Sequence, residues 1–153
     1  MAVGGDPHEI RDEARRLRRL ADQARDQANT VRRGQSVTWH GLAADRFRDR
    51  LVGHARDIDA VEAALLEAAT RLDRLADTLE ERQSAISRAM NWVSDTLNDA
   101  RRTINSLAGQ AADALTDAER AIQERAHDLI AAAGTLPRPG DPGWLDLAQR
   151  LGR

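Results

Sequence analysis

The chain has no cysteine, no tyrosine and no lysine, and a single phenylalanine among its 153 residues. Without cysteine, disulfides and thiolate metal sites are excluded, while the redox compartment is left open. Aromatic content of 3% argues against a thick globular core, because aromatic side chains supply much of the area that such cores bury. Proline is missing from residue 8 to residue 136, so no ring forbids helix anywhere in that span. No stretch approaches the 18 or so uncharged apolar residues of a membrane-spanning helix. Residues 1–5 carry neither a basic nor an apolar region, so no cleavable secretory signal peptide is expected. Neither sign of charge dominates: 23 arginines face 25 acidic residues, for a formal net charge of -2. That balance offers no global attraction to nucleic acid or to an anionic membrane.

What remains is alanine, leucine and paired charge. Hydrophobic residues make up 41% and charged residues 31%, the profile of long amphipathic helices packed through a narrow seam. Ile10, Ala14, Leu17, Ala21, Ala24, Ala28 and Val31 step by alternating fours and threes, as do Phe47, Leu51, Ile58, Val61, Leu65, Leu72, Leu75 and Leu79. This is the spacing of one helical face. Asp6-Pro7 reads as a helix start, with Asp6 at the N-cap, Pro7 at the first position and Glu9 placed to complete a capping box. Between the two runs, Gly34 suits a left-handed C-terminal position and Thr38 an N-cap, so the chain turns back there. Trp39 is expected to plug the end of the hairpin against both helices or a partner, and Gly41 to let another group approach.

The dense arginines Arg15, Arg16, Arg18 and Arg19 are interspersed with Asp12, Glu13, Asp22 and Asp26. They read as a solvated, salt-bridged face and not as a nucleic-acid stripe. The periodicity continues through Val93, Leu97, Ala100, Ile104, Leu107, Ala111 and Leu115 to Ala133. Asn91 and Ser94 are candidate caps, so a break near Asn91 is expected. The segment from Pro137 to Gly143 cannot be helical, and residues 144–151 form a short amphipathic end. Trp92 and Trp144 are possible docking residues, with packing of the tail onto its own bundle as the other placement for Trp144. No nucleophile elbow, phosphate loop or zinc-binding histidine pair occurs. No catalytic, cofactor-binding or metal-ligating residue is therefore assigned, and no enzyme activity is expected.

Trp39-x-Gly41 in a hairpin turn, followed by Ala43, Ala44 and Phe47, resembles the WxG-motif family of helical-hairpin proteins exported by type VII secretion. With Gly5-Asp6-Pro7 and the arginine-rich first helix, it is similar to the N-terminal targeting domains of actinobacterial type VII substrates. The resemblance covers roughly the first 90 residues. It implies pairing with a second hairpin into a four-helix bundle, as homodimer or heterodimer, and recognition by a membrane-bound secretion ATPase. Many members or their partners also carry a tyrosine followed four residues later by an acidic residue. This chain has no tyrosine; with Trp92 in the aromatic place the acidic position is Thr96, and Asp95 falls one residue early.

The expectation is an all-α protein: a hairpin over 6–90, a third helical segment over 91–133 and a tail over 134–153. Phe47, Leu51, Ile58, Val61, Leu65, Leu72, Leu75 and Leu79 form its packing or partner face. The expected role is a non-enzymatic secretion substrate, adaptor or targeting module, with no cofactor. The rivals are a coiled-coil scaffold unrelated to secretion, and a membrane-surface helix over 107–136. Against the latter stand Asp113, Asp117, Glu119, Glu124 and Asp128, and membrane contact is not expected.

Overall fold

A computed structural model describes residues 5–36, 38–108 and 115–152; Ala111 and Asp113 lie outside them. The described residues are all-α, with no strand among them. Helix α1 runs Pro7–Arg33, α2 runs Leu42–Leu107, α3 runs Asp117–Ala133 and α4 runs Gly143–Arg150, with a 3-10 turn over Gly34–Ser36. The chain divides into two compact units, Gly5–Leu79 and Glu80–Arg153. Helix α2 contributes to both.

In the first unit, α1 starts as its sequence dictates. The Asp6 carboxylate accepts from the His8 N–H at 2.8 Å, and Pro7 occupies a position whose missing N–H costs nothing. The far end departs from expectation. Gly34 has φ -62 and ψ -17, so it is right-handed and continues into the 3-10 turn. Its lack of a side chain serves packing instead, since a Cβ there would sit 3.3 Å from Leu51 Cδ1. Thr38 is not the cap of α2, which begins at Leu42, with the Gly41 carbonyl accepting from the Asp45 N–H.

The helices of this unit run antiparallel, as the ion pairs between them demonstrate. Arg11, Arg18, Arg25 and Arg32 recur every seven residues on α1, and they meet Asp77, Asp73, Glu62 and Asp59 in reverse order along α2. With Ala14, Ala21 and Ala28 at heptad position a and Ile10, Leu17, Ala24 and Val31 at d, all four arginines occupy e. On α2, Ala55, Glu62, Ala69 and Ala76 take a, and Leu51, Ile58, Leu65, Leu72 and Leu79 take d. The buried side chains of the seam are alanines, several at 0% exposure, whereas the leucines at d are half-buried. Alanine lets the two backbones approach closely and buries little area.

The second unit has a larger core. Ile86, Ala89, Val93 and Leu97 of α2 pack with Ala133 of α3 and with Trp144, Leu147 and Ala148 of α4. The expected break at Asn91 does not occur: Asn91 and Ser94 are exposed residues inside the continuous α2. Ile86, Val93 and Leu97 fall on one helical face, and their burial there makes the continuous helix the conformation that fills the core. Helix α3 instead starts at a capping box, in which the Thr116 hydroxyl accepts from the Glu119 N–H at 3.2 Å and the Thr116 N–H donates to the Glu119 carboxylate at 2.8 Å. Gly134, with φ +55, follows the last turn of α3. Asp141 accepts from the Gly143 N–H at 2.7 Å and so starts α4.

Candidate functional site

Two shallow depressions of about 220 and 270 Å³ lie in the second unit, the first over Ala85, Arg88 and Leu145, the second over Thr103, Ile122 and Leu129. Neither gathers groups with an arrangement for acid–base or nucleophilic chemistry. The hairpin unit differs in that several of its uncovered large apolar side chains recur at one heptad position, whereas the second unit exposes Ile122 and Leu136 singly.

The eight-residue face expected on α2 divides into two sets. Leu51, Ile58, Leu65, Leu72 and Leu79 are half-buried, at d, against α1. Phe47, Val61 and Leu75 are exposed by 41%, 53% and 48%, and they fall at heptad position g. Alternation of threes and fours put all eight on one stripe in the sequence; the close alanine seam is too narrow to cover both d and g. On α1, Leu20 also occupies g and is 41% exposed. Since e of α1 meets e of α2 in the arginine pairs with Asp59 and Asp73, the g positions of both helices share the opposite edge. The hairpin therefore has one charged edge and one apolar edge. Leu20 gave no signal in the sequence beyond its spacing, because it interrupts the arginine cluster instead of the alanine seam.

The charged edge is saturated by its own partners. Arg11 lies 2.8 Å from Asp77, and Arg25 places both Nε and a terminal nitrogen on Glu62 Oε1, at 2.7 and 2.6 Å. Glu62 replaces alanine at an a position and its side chain is only 17% exposed. Its hydrogen bonds and charge raise the Arg25 pKa above its ordinary value, against a small opposing desolvation. A carboxylate in the seam that only one arginine can meet fixes the register of the pair.

Of the two placements expected for Trp39, against both helices or against a partner, the first is not taken. Trp39 does not plug the hairpin against both helices: it is 48% exposed, and its ring stands 6.0 Å from that of Phe47 at an interplanar angle of 56°. The Trp39 carbonyl accepts from Arg48 at 2.5 Å, and Arg48 also meets Asp45 at 2.9 Å, which ties the turn to the first coil of α2. Gly41 has φ +114 and nothing within 4 Å of where a Cβ would lie. Conformation, and not close approach of another group, is what requires glycine there. Leu42 is 69% exposed.

Of the two other tryptophans, Trp92 is half-buried against the core of the second unit. Trp144 is 4% exposed in that core, with its indole N–H donating to the Arg138 carbonyl at 2.8 Å. Asp95 is exposed, and the Thr96 hydroxyl donates to the Trp92 carbonyl at 2.8 Å.

Residues 2–93 match the profile of T7SS_signal, a family described as "Putative T7SS secretion signal domain". The chain belongs to this family. The T7SS_signal match spans more than half of the chain, covers the whole hairpin and ends inside α2, which supports a role as a type VII secretion substrate. No curated protein and no solved structure matches the chain. Among the described residues no helix is long and apolar enough to cross a membrane.

Proposed function

We propose that the protein is a non-enzymatic type VII secretion substrate whose hairpin, Gly5–Leu79, acts as a targeting module by pairing with a second WxG-type hairpin. The observation that carries this reading is the apolar edge of Leu20, Phe47, Val61 and Leu75, left open at one heptad position while the opposite edge is neutralised by its own ion pairs. A second hairpin laid along it completes a four-helix bundle, either as a homodimer or with another short chain carrying Trp-x-Gly. Trp39 and Gly41 form the turn of the motif, and the hairpin resembles the targeting domains of actinobacterial substrates. A secretion ATPase is the receptor expected for the assembled bundle. As this chain has no tyrosine, the paired hairpin supplies the aromatic and acidic signal.

Full burial of one such side chain is worth about 1.5–3 kcal/mol. Four that are already about half covered together contribute ~4 kcal/mol, or roughly a thousandfold in association. Sedimentation equilibrium of the full chain, alone and co-expressed with a short hairpin chain, measures it. Phe47→Ser/Val61→Ser/Leu75→Ser should weaken association by about a hundredfold or more with helicity unchanged, and should abolish export of a fused reporter. A chain that stays monomeric alone and with every co-expressed hairpin would defeat the reading.

A further inference from the structure

The tip of the hairpin carries a second surface, whose composition differs from that of the apolar edge. Trp39, Leu42 and Phe47 lie within nine residues and are exposed by 48%, 69% and 41%. Between residues 32 and 50 stand five arginines and two aspartates, a net of three positive charges in a chain whose remainder is five negative. Arg32 and Arg48 are engaged with Asp59 and Asp45. Arg33, Arg46 and Arg50 have no ion pair among the described residues. The tip is therefore a positive pole topped by aromatic and aliphatic side chains.

We propose that this tip is a membrane-surface anchor, in which Trp39, Leu42 and Phe47 enter the interface of an anionic bilayer and Arg33, Arg46 and Arg50 meet its phosphate headgroups. Three points favour lipid over a protein socket. Three apolar side chains on a turn fall far short of the roughly 800 Å² per partner that a stable protein interface buries, but they suffice for shallow insertion. Tryptophan with an apolar body and a polar N–H is suited to the headgroup level. Guanidiniums without an ion pair, one at the end of α1 and two near the start of α2, gain from a diffuse field of anionic headgroups without needing positioned partners. The expectation against membrane contact rests on the overall charge balance and on the acidic face of 107–136, whereas the tip is locally positive. Outside the tip, residues 5–79 carry more acidic than basic side chains, which favours approach of the hairpin tip first. Phe47 also belongs to the apolar edge, so a hairpin already paired along that edge meets the bilayer through Trp39 and Leu42 alone.

The test is co-sedimentation of the full chain with vesicles of phosphatidylcholine, alone or with phosphatidylglycerol in about a 7:3 ratio. Binding is expected to the anionic vesicles only, and to fall as salt is raised. At about fivefold per arginine near the surface, Arg33→Gln/Arg46→Gln/Arg50→Gln should weaken it by roughly a hundredfold. Trp39→Ser/Leu42→Ser/Phe47→Ser should weaken it at least ~tenfold, with circular dichroism confirming unchanged helix. Because the chain has no cysteine, Leu42→Cys and Leu75→Cys give single sites for an environment-sensitive dye, which keeps the test valid even if the triple variants misfold. A blue shift at residue 42 alone supports the anchor. A shift at both sites, a shift at neither, or equal binding to neutral and anionic vesicles overturns it, and absence of all binding would leave the tip to a protein socket.

Discussion

In Gly5–Leu79 the buried side chains are alanines and the single Pro7, whereas Glu80–Arg153 buries Ile86, Val93, Leu97, Trp144 and Leu147 as well as alanines. One helix, α2, takes part in both units, so helix propensity does not explain the contrast. The partner does. Alanines at a of α1 bring the backbones together and leave the leucines of α2 at d half-covered and its g positions open. Helix α4 instead presents a tryptophan and a leucine to residues 86–97 and closes a core. The hairpin is thus stabilised by close contact and satisfied charge and retains apolar area for another molecule. The second unit buries several of its large side chains in a core of its own, with Ile122 and Leu136 left exposed. The family match covers the first kind of packing and only the beginning of the second.

The largest test of this contrast is Trp144→Ala. It empties a core position and orphans the hydrogen bond to Arg138, so it should cost the second unit about 3–5 kcal/mol. Hydrogen exchange should show α3, α4 and residues 86–97 losing protection while α1 and its ion pairs keep theirs. Equal loss in both units would show that they fold as one and would break the comparison.

Thr116→Ala tests the start of α3 and should cost about 1 kcal/mol, read from a thermal melt. The Thr116 hydrogen bonds, backbone first and then hydroxyl, hold the Glu119 carboxyl below its ordinary pKa. A depressed carboxyl pKa adds stability that is fully present above the unfolded value, about 4.3. That contribution is lost as pH falls through the lower folded value. Protection of the first turn of α3 should therefore decline in acid in the wild type and decline less in Thr116→Ala, which loses the hydroxyl but keeps the backbone N–H on Glu119.

The smallest effects belong to the charged edge of the hairpin. Arg11→Gln removes a solvent-exposed pair and should shift stability by less than about 1 kcal/mol. Arg25→Gln should lower the melting midpoint more, because Glu62 sits in the seam and loses its neutralising charge. A double-mutant cycle with Glu62→Ala separates the two contributions. Equal shifts for Arg11→Gln and Arg25→Gln would remove the register role given to Glu62.

Much of this was legible in order along the chain. Asp6-Pro7 set the start of α1, Gly134 and Pro137 ended α3, and the spacing of apolar residues established helices without a strand. The tip was legible as a turn, since residues 33–38 break the two seams, but not as an open one. Burial of an indole depends on whether two helices diverge enough to admit it, and spacing alone carries no such distance.

The sequence by itself determined the helical class, the return of the chain after Gly34 and the heptad lattice, because these follow from local sterics and from a period that each helix carries alone. Tertiary structure alone decided three things. It split one stripe into a covered d set and an open g set, since only the distance between helices sets how wide a seam can be. It carried α2 through Asn91, because burial of Val93 and Leu97 outweighs a cap that the sequence merely permits. It seated Trp144 in a core, because the partner that receives it lies some fifty residues away in the chain, and only folding brings the two together.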